Sequence, residues 1–90
     1  MNDRVDRIRN RLVATLAPDE CQLDDESHLH AGHAGAASGA GHYRLRIVSD
    51  RFAGLNRIAR HRLVYDSLRD MMASDIHALN IIALAPSERE

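Results

Sequence analysis

The stretch from position 42 to 85 constrains the fold of this 90-residue chain more than any other, because its apolar period changes twice. From His42 to Ser49 apolar and polar residues alternate. Tyr43, Leu45 and Ile47 fall on one side and Arg44 and Arg46 on the other, with Val48 breaking the pattern near the end. A period of two belongs to a strand with one buried face. The turn-rich connector SDRFAGLN follows, with one short helical turn expected around Phe52 to Leu55. From about Ile58 to Ala73 the period becomes helical, and Ile58, His61, Val64 or Tyr65, Leu68 and Met71 or Met72 form an inward stripe. The apolar run IHALNIIALA, Ile76 to Ala85, then reads as another strand, dense enough to predict burial on both faces. Strands joined by a helical crossover pair in parallel, in the right-handed sense.

The upstream elements complete the pattern. Val5, Ile8, Leu12 and Leu16 recur at spacings of three and four, predicting a helix from about Asp3 to Ala17, capped by Asn2 or Asp3 and stopped by Pro18. Glu20 to Glu26 alternates Cys21 and Leu23 with Gln22 and Asp24, and its polarity suggests an edge strand able to form a hairpin with His42–Ser49. Between them lies SHLHAGHAGAASGAG, positions 27–41, whose glycines, alanines and three histidines carry no large apolar period and predict a mobile loop. Pro86 ends the last strand, and positions 86–90 read as a frayed polar tail. The expected architecture is α+β: one small domain in the order α-β-β-α-α-β, with a three-stranded mixed sheet and helices on one face.

Ninety residues suffice for one domain. A chain this short buries only about 60% of its unfolded surface, and with Tyr43, Tyr65 and Phe52 as its whole aromatic set, aliphatic side chains must fill the interior. No stretch reaches the ~18–20 apolar residues of a membrane span, the first eleven residues lack the apolar core of a secretory signal, and one cysteine, Cys21, allows no internal disulfide. These features point to a soluble, cytoplasmic protein that does not engage membranes. Net charge is −1, yet Arg44, Arg46, Arg51, Arg57, Arg60 and Arg62 stand against Asp50 alone between positions 44 and 62.

From Asp25 onward the residues resemble the BolA family. VSDRF-x-G (Val48 to Gly54), RHR-x-VY (Arg60 to Tyr65) and IHAL (Ile76 to Leu79) match its pattern in order and spacing, as does DES (Asp25 to Ser27), over about four-fifths of the chain. The resemblance implies a type II KH-like fold and two functional themes. One is a two-iron, two-sulfur cluster bridged to a monothiol glutaredoxin and its glutathione, held in a heterodimer and absent from the isolated monomer. The other is DNA contact linked to transcription control, stress response and cell morphology in bacteria.

Six histidines give the metal theme its candidates. His28, His30 and His33 lie on the loop, His42 opens a strand, and His77 begins the last one. Neutral imidazole binds zinc, iron and copper, and a loop can deliver a ligand to a fixed one. A closed structural zinc site needs four protein ligands, usually with closely spaced thiolates, and no C-x-x-C occurs here. Carried over from the family, His77 matches the C-terminal ligand. His33, nine positions before His42, is the preferred loop ligand, with His30 and His28 as alternates. Two imidazoles leave such a cluster short of donors, and the missing thiolates must come from another molecule. For the remaining histidines the structural readings prevail: His61 as a packed, hydrogen-bonded ring and His42 as a residue capping or flanking its strand. Cys21 reads as a small apolar filler.

The nucleic-acid theme rests on Arg51, Arg57, Arg60 and Arg62 around a helix-turn-helix-like segment, where guanidiniums could hold phosphates. Against it, Asp19, Glu20, Asp24, Asp25 and Glu26 are acidic, and Gly54 has no glycine three residues on to complete the G-x-x-G clamp of a KH site. No G-x-S-x-G, P-loop or H-E-x-x-H occurs, so the expectation is a binding protein and not an enzyme.

Overall fold

The computed structural model describes residues 3–26 and 41–89. Helix α1 spans Asp3–Leu16. Ile8 and Leu12 are fully buried and Leu16 nearly so, which is the stripe its spacing prescribes. The helix ends one residue earlier than expected. Ala17 turns left-handed at φ 42°, its N–H still donating to the Val13 carbonyl at 3.1 Å, and Pro18 has no N–H to continue the ladder.

Strands β1 (Glu20–Asp25), β2 (Gly41–Val48) and β3 (Ile76–Leu84) form one sheet in the order β1-β2-β3. β1 and β2 run antiparallel with Leu23 opposite Leu45, and β2 and β3 run parallel with Leu45 opposite Ile81. A 3₁₀ turn, Asp50–Phe52, leads into the crossover helices α2 (Arg57–Ser67) and α3 (Arg69–Met72). Asn56 caps α2 by accepting the Ala59 N–H at 2.9 Å. Tyr43, Leu45 and Ile47 of β2 meet Ile8 and Leu12 of α1 and Val64 and Leu68 of the crossover in a single cluster that also takes in Phe52. The α+β order, the mixed sheet and the one-sided helices are those the periodicity predicts.

Four features differ from the sequence expectations. β3 is parallel to β2, as expected, but lies at the sheet edge, and Ile82 is 46% exposed on it; the run is apolar without the expected cover on both faces. The expected single helix is broken at Leu68 (φ −107°, ψ 13°). The Ser67 carbonyl there accepts from Arg11 Nη1 at 3.1 Å, and the same guanidinium holds Asp70, so that carbonyl is diverted from the helical ladder. Ile58 is exposed and Tyr65 partly so, while Val64, Leu68 and Met71 are the buried stripe. Six residues back from Val64 lies about 120° round a helix, which puts Ile58 off that stripe. Finally, the described part of the tail is pinned. Pro86–Glu88 forms a 3₁₀ turn, Glu88 takes both arms of the Arg60 guanidinium, and Arg89 pairs with Glu20 at 2.9 Å.

Candidate metal centre

β2 and β3 are out of step at their shared N-terminal end. Gly41 pairs with Ile76 but His42 pairs with Ala78, so His77 is the extra residue of a bulge. Its effect is decisive. Counting back by twos from the buried Ile81 would place His77 on the helix-covered face with Leu79. The bulge instead turns His77 and Ala78 outward in succession, and His77 is exposed on the open face. His42 is outward too, between the inward Gly41 and Tyr43. The rings of His42 and His77 stand 5.0 Å apart, centroid to centroid, tilted by 46°.

The fold fixes this pair from both sides. The Gly41 N–H donates to the Asp75 carbonyl at 3.0 Å, and the Glu26 N–H donates to the His42 carbonyl at 2.7 Å. His42 is half-buried and His77 exposed. A depression of about 360 Å³ beside His42 is lined by Glu26, Tyr43, Ala78, Leu79 and Asn80. The Glu26 carboxylate that lines it faces Arg44 at 3.4 Å, so that acid is already matched by a cation. Two imidazoles bound about 2 Å from one tetrahedral ion have ring centroids about 5 Å apart, and the observed separation fits that arrangement. No group of three His, Cys, Asp or Glu side chains able to hold a metal occurs among the described residues. The described donor set is thus two imidazoles, a number that requires donors from elsewhere.

His33, His30 and His28 lie outside the described residues. The last described residues on either side are tied to the strands of the pair, Glu26 through its N–H to the His42 carbonyl and Gly41 through its N–H to the Asp75 carbonyl. His42, read from sequence as a strand flank, is the partner that sequence reasoning missed. The signal was available: parallel strands begin at the same end of a sheet, and both histidines open theirs. His61 is half-buried and lines a groove between α2 and β3 instead of packing into the core. Cys21 packs beside the core, and burial pushes its thiol up despite Arg9.

The four arginines of the nucleic-acid reading divide. Arg51, Arg57 and Arg62 are exposed. Arg60 is turned inward: its Nε donates to the Leu55 carbonyl at 2.9 Å, its Nη1 to the Ala83 carbonyl at 3.0 Å, and both arms to Glu88. Its guanidinium is committed within the fold. No described helix is long and apolar enough to cross a membrane.

Comparison with known proteins gives a consistent answer. The family description "BolA: BolA-like protein" matches residues 12–88. SufE-like protein 1, chloroplastic/mitochondrial, of Arabidopsis thaliana is 47% identical over 87 residues, covering 91% of this chain and 24% of the relative. Protein BOLA1, chloroplastic, of the same plant is 41% identical, covering 98% of this chain and 57% of the relative. The chain therefore spans about a quarter and somewhat over half of the lengths of these two relatives. Among solved structures, the BolA domain of SufE1 from Arabidopsis thaliana superposes with a TM-score of 0.87 at 44% identity, over 99% of each chain.

Proposed function

The chain belongs to the BolA-like protein family, and from that premise we propose that it is a binding protein, not a catalyst, that supplies imidazole ligands to a two-iron, two-sulfur cluster shared with a monothiol glutaredoxin and its glutathione. The observation that carries this reading is the His42–His77 pair, turned to the open face by a bulge and left without a third protein donor among the described residues. His77 is the fixed ligand. His33, His30 or His28 is the second ligand if the intervening segment supplies it, and His42 takes that role if the sheet does. A shared cluster supplies soft iron coordination that two imidazoles cannot complete without thiolates. The residues of this chain hold ring orientation through the β2–β3 register and leave the outer side open to a partner. The same ligands serve cluster delivery and iron sensing, in a cytoplasmic setting.

The test is anaerobic mixing of the chain with a cluster-loaded monothiol glutaredoxin, read by visible circular dichroism and by mass of the complex. The wild-type chain should form a heterodimer with a spectrum different from that of the glutaredoxin alone, and should carry no cluster when isolated. His77→Ala should remove or distort the new bands. A matching loss in His42→Ala assigns the second ligand to the sheet, and loss on replacing His28, His30 and His33 together assigns it to the loop. Unchanged spectra in all three variants overturn the proposal. The alternative, DNA regulation through the arginine segment, rests on the exposed Arg51, Arg57 and Arg62. It predicts duplex binding that weakens steeply with salt, and a flat low-salt titration removes it.

A further inference from the structure

From Leu79 to Ala83, β3 has an edge unpaired among the described residues, and it contributes no imidazole to the proposed cluster. The Leu84 carbonyl accepts from the Ser49 N–H at 3.0 Å and so points towards β2, whereas the Ala83 carbonyl accepts from the Arg60 side chain and points away. Backbone groups alternate in direction along a strand. The N–H and C=O of Leu79 and Ile81, and the N–H of Ala83, therefore face the open edge, and no other described strand pairs there. Soluble proteins usually protect such an edge with charge, proline or a covering element. β3, IHALNIIAL, contains no Asp, Glu, Lys, Arg or Pro across nine residues.

The groove between this edge and α2, about 390 Å³, has Leu55 and Ile81 on its apolar side and Arg57, Arg60 and His61 along its rim. Arg60 is answered by Glu88; Arg57 is exposed and forms no ion pair with a described residue. We propose that the free edge of β3 is a strand-addition site for an extended, acidic segment of a partner protein, whose alternate side chains enter this groove. Backbone bonds to Leu79, Ile81 and Ala83 would provide the ladder. An apolar side chain on the inner side packs against Leu55 and Ile81, one on the outer side packs beside Ile82, and a carboxylate meets Arg57. A second copy of this chain fits less well. β3 of a second copy brings no acid to answer Arg57, and a twofold pairing sets like charges near one another.

The test uses the full ¹⁵N-labelled chain and the capped hexapeptide Val-Asp-Asp-Val-Val-Asp, which carries valine and aspartate on both faces of an extended strand, followed by amide shifts and hydrogen exchange. The expected result is shifts centred on Leu79, Ile81 and Ala83, with exchange there slowed. Methylating the peptide nitrogens that face β3 should weaken binding about fivefold to tenfold per bond removed. The valine–lysine counterpart should not bind, and Arg57→Glu should reverse the preference between the two peptides. Four results each overturn the proposal: no binding at millimolar peptide, shifts confined to other faces, protection of Leu79 and Ile81 by self-association without peptide, or displacement of the same amides by a random DNA duplex in preference to the peptide. None of these readouts involves His77 or a cluster, so the two proposals fail separately.

Discussion

Gly41→Ala tests how tightly the entry to β2 is packed beneath the histidine pair. A methyl carbon built on Gly41 stands 2.5 Å from Tyr43 Oη and 2.6 Å from its Cε2 and Cζ. Non-bonded carbons settle at about 3.5–4.0 Å, so the ring or the strand must retreat by roughly 1 Å. Tyr43 has little room for that. It is 3% exposed, belongs to the central cluster, and its phenol, raised by burial, is tied to Arg4 by a hydrogen bond that works the other way. Overpacking of this kind costs about 1–3 kcal/mol. A chain of this size loses about 0.19 kcal/mol of stability per degree near its midpoint, from ~2.1 cal/mol/K per residue. The expected fall in Tm is therefore about 5–15 °C, measured by calorimetry. The cause is isolated by a double-mutant cycle: in a Tyr43→Leu background, which removes the ring atoms that the methyl meets, Gly41→Ala should cost less than about 0.5 kcal/mol. A fall below about 2 °C in the wild-type background, or an equal fall in both, refutes the steric account.

Other consequences are equally direct. Ser49 is fully buried, donates from Oγ to the Leu16 carbonyl at 2.7 Å and accepts the Arg51 N–H at 3.1 Å; Ser49→Ala should cost about 1–3 kcal/mol in urea unfolding, and a neutral result shows those groups find other partners. Ala17 sits at φ 42°, so Ala17→Gly should gain up to about 1 kcal/mol, and a loss of stability means the left-handed strain is not there to relieve. Leu45 is fully buried in the central strand, and Leu45→Ala should cost about 2–5 kcal/mol by thermal melts. The Arg60 guanidinium, helped by the Ala85 N–H, holds the Glu88 carboxyl down at about 2 from an ordinary 4.5. A depressed carboxylate stabilises the fold above its unfolded value and loses that effect as pH falls through the folded one. The stability difference between the chain and Glu88→Gln should therefore shrink between pH 4.5 and about 2, and a difference constant over that range removes the Arg60 clasp as its source.

Local period was enough for the element order and for Leu68 on the inward face of the crossover, because each depends on residues a few positions apart. The kind of connection, hairpin or helical crossover, ordered the antiparallel and parallel pairings. The choice of Val64 over Tyr65 and Met71 over Met72, and the loss of Ile58 and His61 from the stripe, came with the fold. The motifs VSDRF-x-G, RHR-x-VY and IHAL carried the family. Tertiary structure alone decided the rest. An apolar run such as Ile76–Ala85 records how much it prefers burial, not whether another strand lies beyond it, so the edge position of β3 was not legible. Arg60 looked like one of several surface cations until Glu88, distant in sequence, closed on it. The histidine pair shows the limit most clearly. Strict alternation sends His77 to the covered face, and its own place as the unpaired residue between the Gly41–Ile76 and His42–Ala78 pairs reverses it, setting the ring beside His42 in the open. Register is fixed by how two strands fit along their whole length, and a single residue's slip changes the face of every side chain beyond it.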